Sequence, residues 1–328
     1  MQRRHFSATA AMGFALACGL TALPALAQTK WDLAAAYPAT NFHTANLMQF
    51  ASDVDQATAG QFKITVHANA ALFKAPEIKR AVQGAQAQMG EILLNNFQNE
   101  WQIYGADGQP FLATSYDASK KLYQAQKPFL QKKLADQGMV LLYAVAWPPQ
   151  GLYTKKPIAS AADLKGIKWR AYSPATARIA ELVGAQPVTV QAAEFSQALA
   201  TGVVESTMTS GATGVDSKLY EHLKYYYDLQ AWLPKNAVIV NKKAFDALAK
   251  PQQDALLKAG ADAETRGWEA SERVNSETLA KLKAEGMQVL APSPQLKADL
   301  TQVGDAMLKE WLDKAGPDGK ALVDAYRK

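Results

Sequence analysis

Cysteine is nearly absent from this chain. The only one among 328 residues is Cys18, so the sequence beyond it can form no disulfide and no cysteine metal site. A chain of this length with 48% hydrophobic residues can build one large domain or two medium ones without cross-links. Histidine is scarce as well. Beyond residue 27 only His43, His67 and His222 occur, with no metal-like spacing. His43 reads as a capping or packing residue at a helix start. GxSxG, a Walker loop, GxGxxG and HExxH are all missing, which removes the common nucleophile, nucleotide and zinc chemistries. No cofactor is called for. A two-carboxylate hydrolase stays open because acids are plentiful, but no pair stands out. Basic runs and Lys/Arg–aromatic clusters are absent too, which argues against nucleic acid. No internal repeat or low-complexity segment is visible.

What is present begins with a leader. Met1-Gln2-Arg3-Arg4-His5-Phe6 is basic, an Ala/Leu/Gly-rich stretch follows, and Ala25-Leu26-Ala27 closes it. This is the layout of a secretory signal, with cleavage expected after Ala27 and a soluble, exported product. The Arg3-Arg4 pair also fits a twin-arginine signal. The rival is an uncleaved anchor, since residues 5–29 carry no charged residue other than His5; Pro24 and the Ala27 end favour cleavage. Lipidation at Cys18 is disfavoured, because Ala15-Leu16-Ala17 is a poor lipobox. Nothing later is apolar enough to span a bilayer. The formal charge is +5; without residues 1–27 it is +3, from 33 basic and 30 acidic residues. A mildly basic surface suits a small anion.

The body alternates strands and helices. Trp31 to Ala36 reads as a strand, and a helix from Phe42 buries Leu47, Phe50, Ala51 and Val54 before Gly60 ends it. Phe62, Ile64 and Val66 alternate as a strand. Pro76-Glu77 open a helix with a stripe at Ile78, Ala81, Val82 and Ala85. Gln88 to Leu94 is a strand ending at Asn95-Asn96. A helix through Leu122, Ala125 and Phe129 leads to an apolar strand, Met139 to Val145. The rhythm predicts an α/β sheet covered by helices. Trp147-Pro148-Pro149-Gln150-Gly151 interrupts it as a domain crossover or, alternatively, a surface turn. A second series follows: a Ser160-to-Asp163 capping box, a strand at Ile167 to Ala171, helices over Ala175 to Val183 and Ala193 to Leu199, and a strand at Val203 to Met208. Ala237 to Val240 reads as a strand returning to the first domain. Helical spacing from Pro251 to about Glu285 gives a helix ~50 Å long, longer than a domain of ~120 residues is wide. It bridges two domains, or it kinks at Gly260 or Gly267.

Thr154-Lys155-Lys156-Pro157-Ile158-Ala159-Ser160-Ala161-Ala162-Asp163-Leu164-Lys165-Gly166-Ile167-Lys168-Trp169-Arg170 resembles the middle of TRAP-transporter solute-binding proteins of the DctP type. So do Val183 to Pro187, Glu194 to Val204, Val240-Asn241-Lys242 and the long helix. The resemblance covers nearly the whole chain after the leader. It implies an α/β, two-domain periplasmic-binding-protein fold with an interdomain ligand cleft and a long helix spanning both domains. The domains would be 28–149 plus about 236–265, and 150–235 plus about 266–328, sharing the helix at about 251–285. The function implied is the extracytoplasmic, periplasmic subunit that captures a small organic acid for a membrane permease, as a monomer. An exported sensor for a membrane signalling receptor is the alternative.

In that family the arginine at the position of Arg170 grips the substrate carboxylate. Physically, a buried guanidinium needs an anion because it cannot shed its charge, and its planar fork suits a carboxylate. A structural salt bridge is the rival role. Two departures matter. Some members carry a second arginine where Gln150 stands, and many have an asparagine where Thr209 stands. Gln150 favours a monocarboxylate, since a second carboxylate would lack a counter-charge; its amide can still donate to the first, or it is an ordinary turn residue. Thr209 and Ser210 can donate hydroxyls or cap the next helix. Tyr172, two residues past Arg170, walls the cleft or packs in the core. Phe42, Phe97, Trp147, Tyr172 and Trp232 gather near the expected cleft and suggest an apolar or aromatic tail. Asn95, at its strand end, joins the expected ligand set. The acidic–tryptophan pair of metal-assisted members is not evident, so no metal is expected.

Overall fold

The computed structural model describes residues 28–328. The signal, cleavage, twin-arginine and lipidation readings lie outside the described residues. In chain order the elements are β1 (Thr29–Ala34), α1 (Phe42–Ala57), β2 (Phe62–His67), α2 (Ile78–Gln83), β3 (Met89–Leu93), α3 (Tyr116–Asp136), β4 (Met139–Ala146), β5 (Gln150–Thr154), β6 (Lys168–Ala171) and α4 (Pro174–Leu182). They continue with β7 (Gln186–Thr189), α5 (Phe195–Ala200), β8 (Ser206–Ser210), α6 (Gly211–Asp216), β9 (Tyr225–Tyr227), β10 (Lys235–Asn241), α7 (Lys242–Asp246), α8 (Lys250–Ala284), β11 (Gln288–Leu290) and α9 (Pro294–Arg327).

The strands form two sheets. One has the order β2-β1-β3-β10-β4, with β1 parallel to β2 and β3, and β10 antiparallel to β3 and β4. The other has the order β11-β9-β5-β8-β6-β7, with β6 parallel to β7 and β8. Each sheet has its own apolar core: Phe50, Val54, Ile78 and Tyr143 in the first lobe, Trp169, Ile179, Met208 and Trp232 in the second. The fold is therefore α/β with two lobes.

The chain passes between the sheets across Trp147-Pro148-Pro149 and returns through Ala231 to Pro234. The two crossings lie side by side. Trp147 N donates to Pro234 O (2.8 Å), and Gln150 N donates to Trp232 O (2.9 Å). Two prolines at the first crossing remove backbone donors that a continuous sheet would need. A third link is α8, a single 35-residue helix. Its first part packs on α1 and β4, its second on α6 and β11.

Some sequence expectations shift. The strand expected at Val203 to Met208 is β8, Ser206–Ser210. Gly202 turns the chain at φ +70, and Val203 is exposed instead of paired. The third strand stops at Leu93 and runs into a 3-10 turn, Leu94–Phe97. The helix expected from Ala193 starts as a 3-10 turn, Ala192–Glu194, before α5. The sequence reading places nothing over α9, where Gly304, Gly316, Pro317 and Gly319 interrupt the helical signal; α9 is two helices meeting at Gly316.

Candidate functional site

The cleft between the sheets is lined by the carboxyl ends of parallel strands, the usual ligand position in α/β sheets. Tyr37 follows β1, Asn96 follows β3, Arg170 is the last residue but one of β6, Gln191 follows β7 and Thr209 is the last but one of β8. They enclose a cavity of 40 Å³, measured as the space open to the centre of a water molecule.

Among the described residues, Arg170 is the only charged side chain lining that cavity. It is 3% exposed. Its Nε donates to Val190 O (2.9 Å), which leaves the Nη end of the fork free of protein acceptors among the described residues. No carboxylate of those residues lies within 4.0 Å of it, so the salt-bridge rival finds no partner. Its guanidinium carbon lies 4.2 Å from the ring centre of Phe195 and 5.0 Å from that of Tyr172, cation–π contacts that help hold the fork in place. Burial lowers its pKa to about 10, still protonated at neutral pH.

The other expected residues divide. Gln150 and Tyr172 line the cavity and bond to each other: the Tyr172 hydroxyl donates to Gln150 Oε1 (3.0 Å), and Gln150 Nε2 donates to Pro148 O (2.9 Å). Gln150 therefore keeps one amide hydrogen for a ligand. Thr209 lines the cavity. Ser210 does not; its hydroxyl accepts from Thr213 N (3.3 Å) and caps α6. Trp232 is buried in the second-lobe core behind Tyr172. Phe42 packs on Trp147 (5.5 Å) and His43 (4.1 Å), one layer behind the wall. Phe97 packs in the first-lobe core beside Lys79. Asn95 is fully buried away from the cavity, and its neighbour Asn96 lines it instead. The 3-10 turn after β3 rotates successive side chains by a third of a turn and so exchanges the two.

Tyr37, Asn96, Gln191 and Thr213 were not anticipated. The strand-end rule was the available signal for the first three. Behind Tyr37 and Trp147 lies a buried polar layer. Trp147 Nε1 donates to Asn236 Oδ1 (2.9 Å), and His43 Nδ1 lies 3.5 Å from Glu91 Oε1. Burial pushes the Glu91 carboxyl up to about 8 and His43 well below its ordinary range, so the pair is predominantly neutral at pH 7 and not an ion pair. Burial and Glu91 both raise the Tyr37 phenol. Among the described residues, no cluster of three or more His, Cys, Asp or Glu could hold a metal, and no helix is long and apolar enough to cross a membrane.

Residues 34–314 match the family described as bacterial extracellular solute-binding protein, family 7, DctP. The chain belongs to that family. DctP6 of Bordetella pertussis, an extracytoplasmic solute receptor solved binding pyroglutamic acid, is 64% identical; the match covers 91% of this chain and 99% of that one, with a TM-score of 0.90. DctP7 of Bordetella pertussis, solved binding the same acid, is 47% identical over 92% and 100% of the two chains, also at 0.90. A marine-metagenome TRAP solute-binding protein specific for pyroglutamate is 44% identical over 92% and 99%, again at 0.90. Among curated proteins, a solute-binding protein of Albidiferax ferrireducens is 25% identical, covering 84% of this chain and 79% of its own length. Like other DctP-family proteins, this chain is an extracytoplasmic solute-binding subunit for a small organic acid. The sensor and hydrolase alternatives gain no support from these relatives.

Proposed function

We propose that the solute is pyroglutamate, the lactam of glutamate, held by its single carboxylate on Arg170 and passed unchanged to a TRAP-type membrane permease. The observation that carries this reading is that Arg170 is the one charged group on the cavity wall among the described residues. One fixed positive charge suits one carboxylate. A dicarboxylate would bury a second negative charge without a partner, and glutamate or proline would bury an ammonium with no acid to meet it. Pyroglutamate has neither. Its amide is neutral and polar, and Asn96, Gln150, Gln191 and Thr209 offer neutral polar partners. Arg170 makes the bidentate grip, Gln150 supports it from its remaining amide hydrogen, and Tyr37, Trp147 and Tyr172 cover the ring. Three relatives at 44% identity or more whose solved forms bind pyroglutamate support the assignment.

The lobes we propose are 28–149 plus about 236–265, and 150–235 plus about 266–328, with α8 shared. Export with removal of residues 1–27, no chemistry on the bound acid, and a monomeric state complete the reading. Thermal shift with single acids tests it, because a solute bound at ~1,000 times its Kd adds about 4 kcal/mol of stability. Pyroglutamate should raise the melting temperature, and proline, glutamate, succinate and phenylacetate should not. A response to succinate or phenylacetate with none to pyroglutamate would overturn the assignment.

A further inference from the structure

Asn41 and Asp216 meet across the mouth of the cleft. Asn41 lies four residues after the cavity-wall residue Tyr37, in the first lobe. Its backbone N donates to Pro38 O (3.0 Å), and its side-chain Oδ1 accepts from His43 N (2.9 Å), capping α1. That capping bond leaves Nδ2 as the outward donor and fixes the amide's orientation. Nδ2 donates to Asp216 Oδ2 at 2.6 Å, 175 residues away. Asp216 ends α6 in the second lobe, one turn after Thr213, which lines the solute cavity. A cavity of 140 Å³ at the mouth is bordered by Tyr37, Pro38, Trp147, Thr213 and Asp216 together.

Local structure gives Asp216 no reason to be acidic. A carboxylate at a helix's last residue faces the negative end of the backbone dipoles. No cation of the described residues lies within 4.0 Å of it. Burial disfavours its charge and raises its pKa, and the Asn41 donation counters this in part. Asn41 is 1% exposed, so its donor also has no ready access to water while the lobes are together.

We propose that Asn41 and Asp216 form a clasp that holds the two cavity walls in register and sets how long the solute stays, without touching it. The inference rests on the reading of the Arg170 cavity as the solute site. A clasp that exists only between closed lobes must break before the solute leaves, so its loss speeds dissociation more than it slows association.

Stopped-flow binding of pyroglutamate tests this with Asp216→Ala, which removes the acceptor and leaves the α1 cap intact. The dissociation rate should rise about tenfold, the scale of one hydrogen bond to a charged group. The association rate and the melting temperature of the free protein should stay near wild type. Asn41→Ser keeps a capping side chain but loses the cross-lobe donor, and it should give the same rise. The double variant should dissociate no faster than either single one. Asp216→Asn retains an acceptor and should recover part of the loss. An unchanged dissociation rate in a folded Asp216→Ala, or full additivity in the double variant, would overturn the clasp. Failure of the wild type to bind pyroglutamate would instead sink the solute assignment. The clasp would then be judged with whichever of succinate or phenylacetate raises the melting temperature: faster dissociation of that acid from Asp216→Ala supports it, and an equal rate overturns it.

Discussion

Arg170 and Glu91 are both buried near the cavity, and burial acts on them in opposite ways. Arg170 keeps its charge because even a pKa of about 10 leaves it protonated. Glu91 gives its charge up, because burial lifts its carboxyl to about 8 from an ordinary 4.5. The consequence for stability has a definite sign. Between about 4.5 and about 8 the unfolded chain has lost the Glu91 proton while the folded protein keeps it. Stability therefore falls as pH rises through that window and levels off above it, by an amount on the order of 4 kcal/mol. Glu91→Gln removes the proton from the comparison. Melting curves of the two proteins should diverge from pH 5 to pH 8, with wild type losing ground; parallel curves would reject a neutral Glu91. Residue-scale legibility was uneven. Arg170, Tyr172 and Thr209 reach the cavity wall from at or beside the ends of strands that the periodicity marks, whereas Gln150, which opens β5 where the pattern reads only a crossing, was legible through the family resemblance alone. Asn95, Phe42 and Trp232 do not reach the wall, because a 3-10 turn, a helix start and a crossing loop set side-chain direction in ways that spacing along the chain does not encode. Trp232 and Phe42 stand close in sequence to the wall yet one layer behind it.

Among the elements, α8 resolves the choice left by its sequence between bridging and kinking. It runs unbroken from Lys250 to Ala284, and its two interior glycines serve close packing. A Cβ at Gly260 would stand 2.8 Å from Leu142 Cγ, and one at Gly267 would meet Val145 Cγ2 at 2.4 Å and Asn46 Nδ2 at 2.8 Å. Asn46 cannot easily yield, since its amide holds Ala263 O and Arg266 Nε. Gly267→Ala pits two effects against each other. Helix propensity favours alanine by ~1 kcal/mol, and overpacking costs about 1–3 kcal/mol. With two contacts below 3.0 Å, overpacking should win. Denaturant unfolding should show a net loss of about 1 kcal/mol, and a gain would mean that the α1–β4–α8 junction is looser than described. Most α/β elements of the first lobe were legible because helix and strand periods alternate cleanly there. The second lobe was less so. Strands β5 and β9 are short, β8 is displaced by the turn at Gly202, and α9 is masked by glycines and a proline.

At the scale of the whole molecule, two lobes are joined by paired crossings and one long helix, and among the described residues the cavity between them is lined by one charged side chain, Arg170. Closure on a solute should draw the lobes together, so the scattering radius of the protein should fall on adding pyroglutamate; an unchanged radius would count against the hinge alone. Arg170, buried with no carboxylate beside it among the described residues, is the proposed carboxylate site. Calorimetric titration of pyroglutamate into the wild type, Arg170→Lys and Arg170→Ala tests it most directly. Lysine keeps the charge but lacks the planar fork, and alanine keeps neither. The wild type should bind, and the alanine variant should lose ~2–5 kcal/mol, with lysine recovering only part of it. Affinities within about threefold of wild type in both variants, a difference well under 1 kcal/mol, would contradict that role for Arg170.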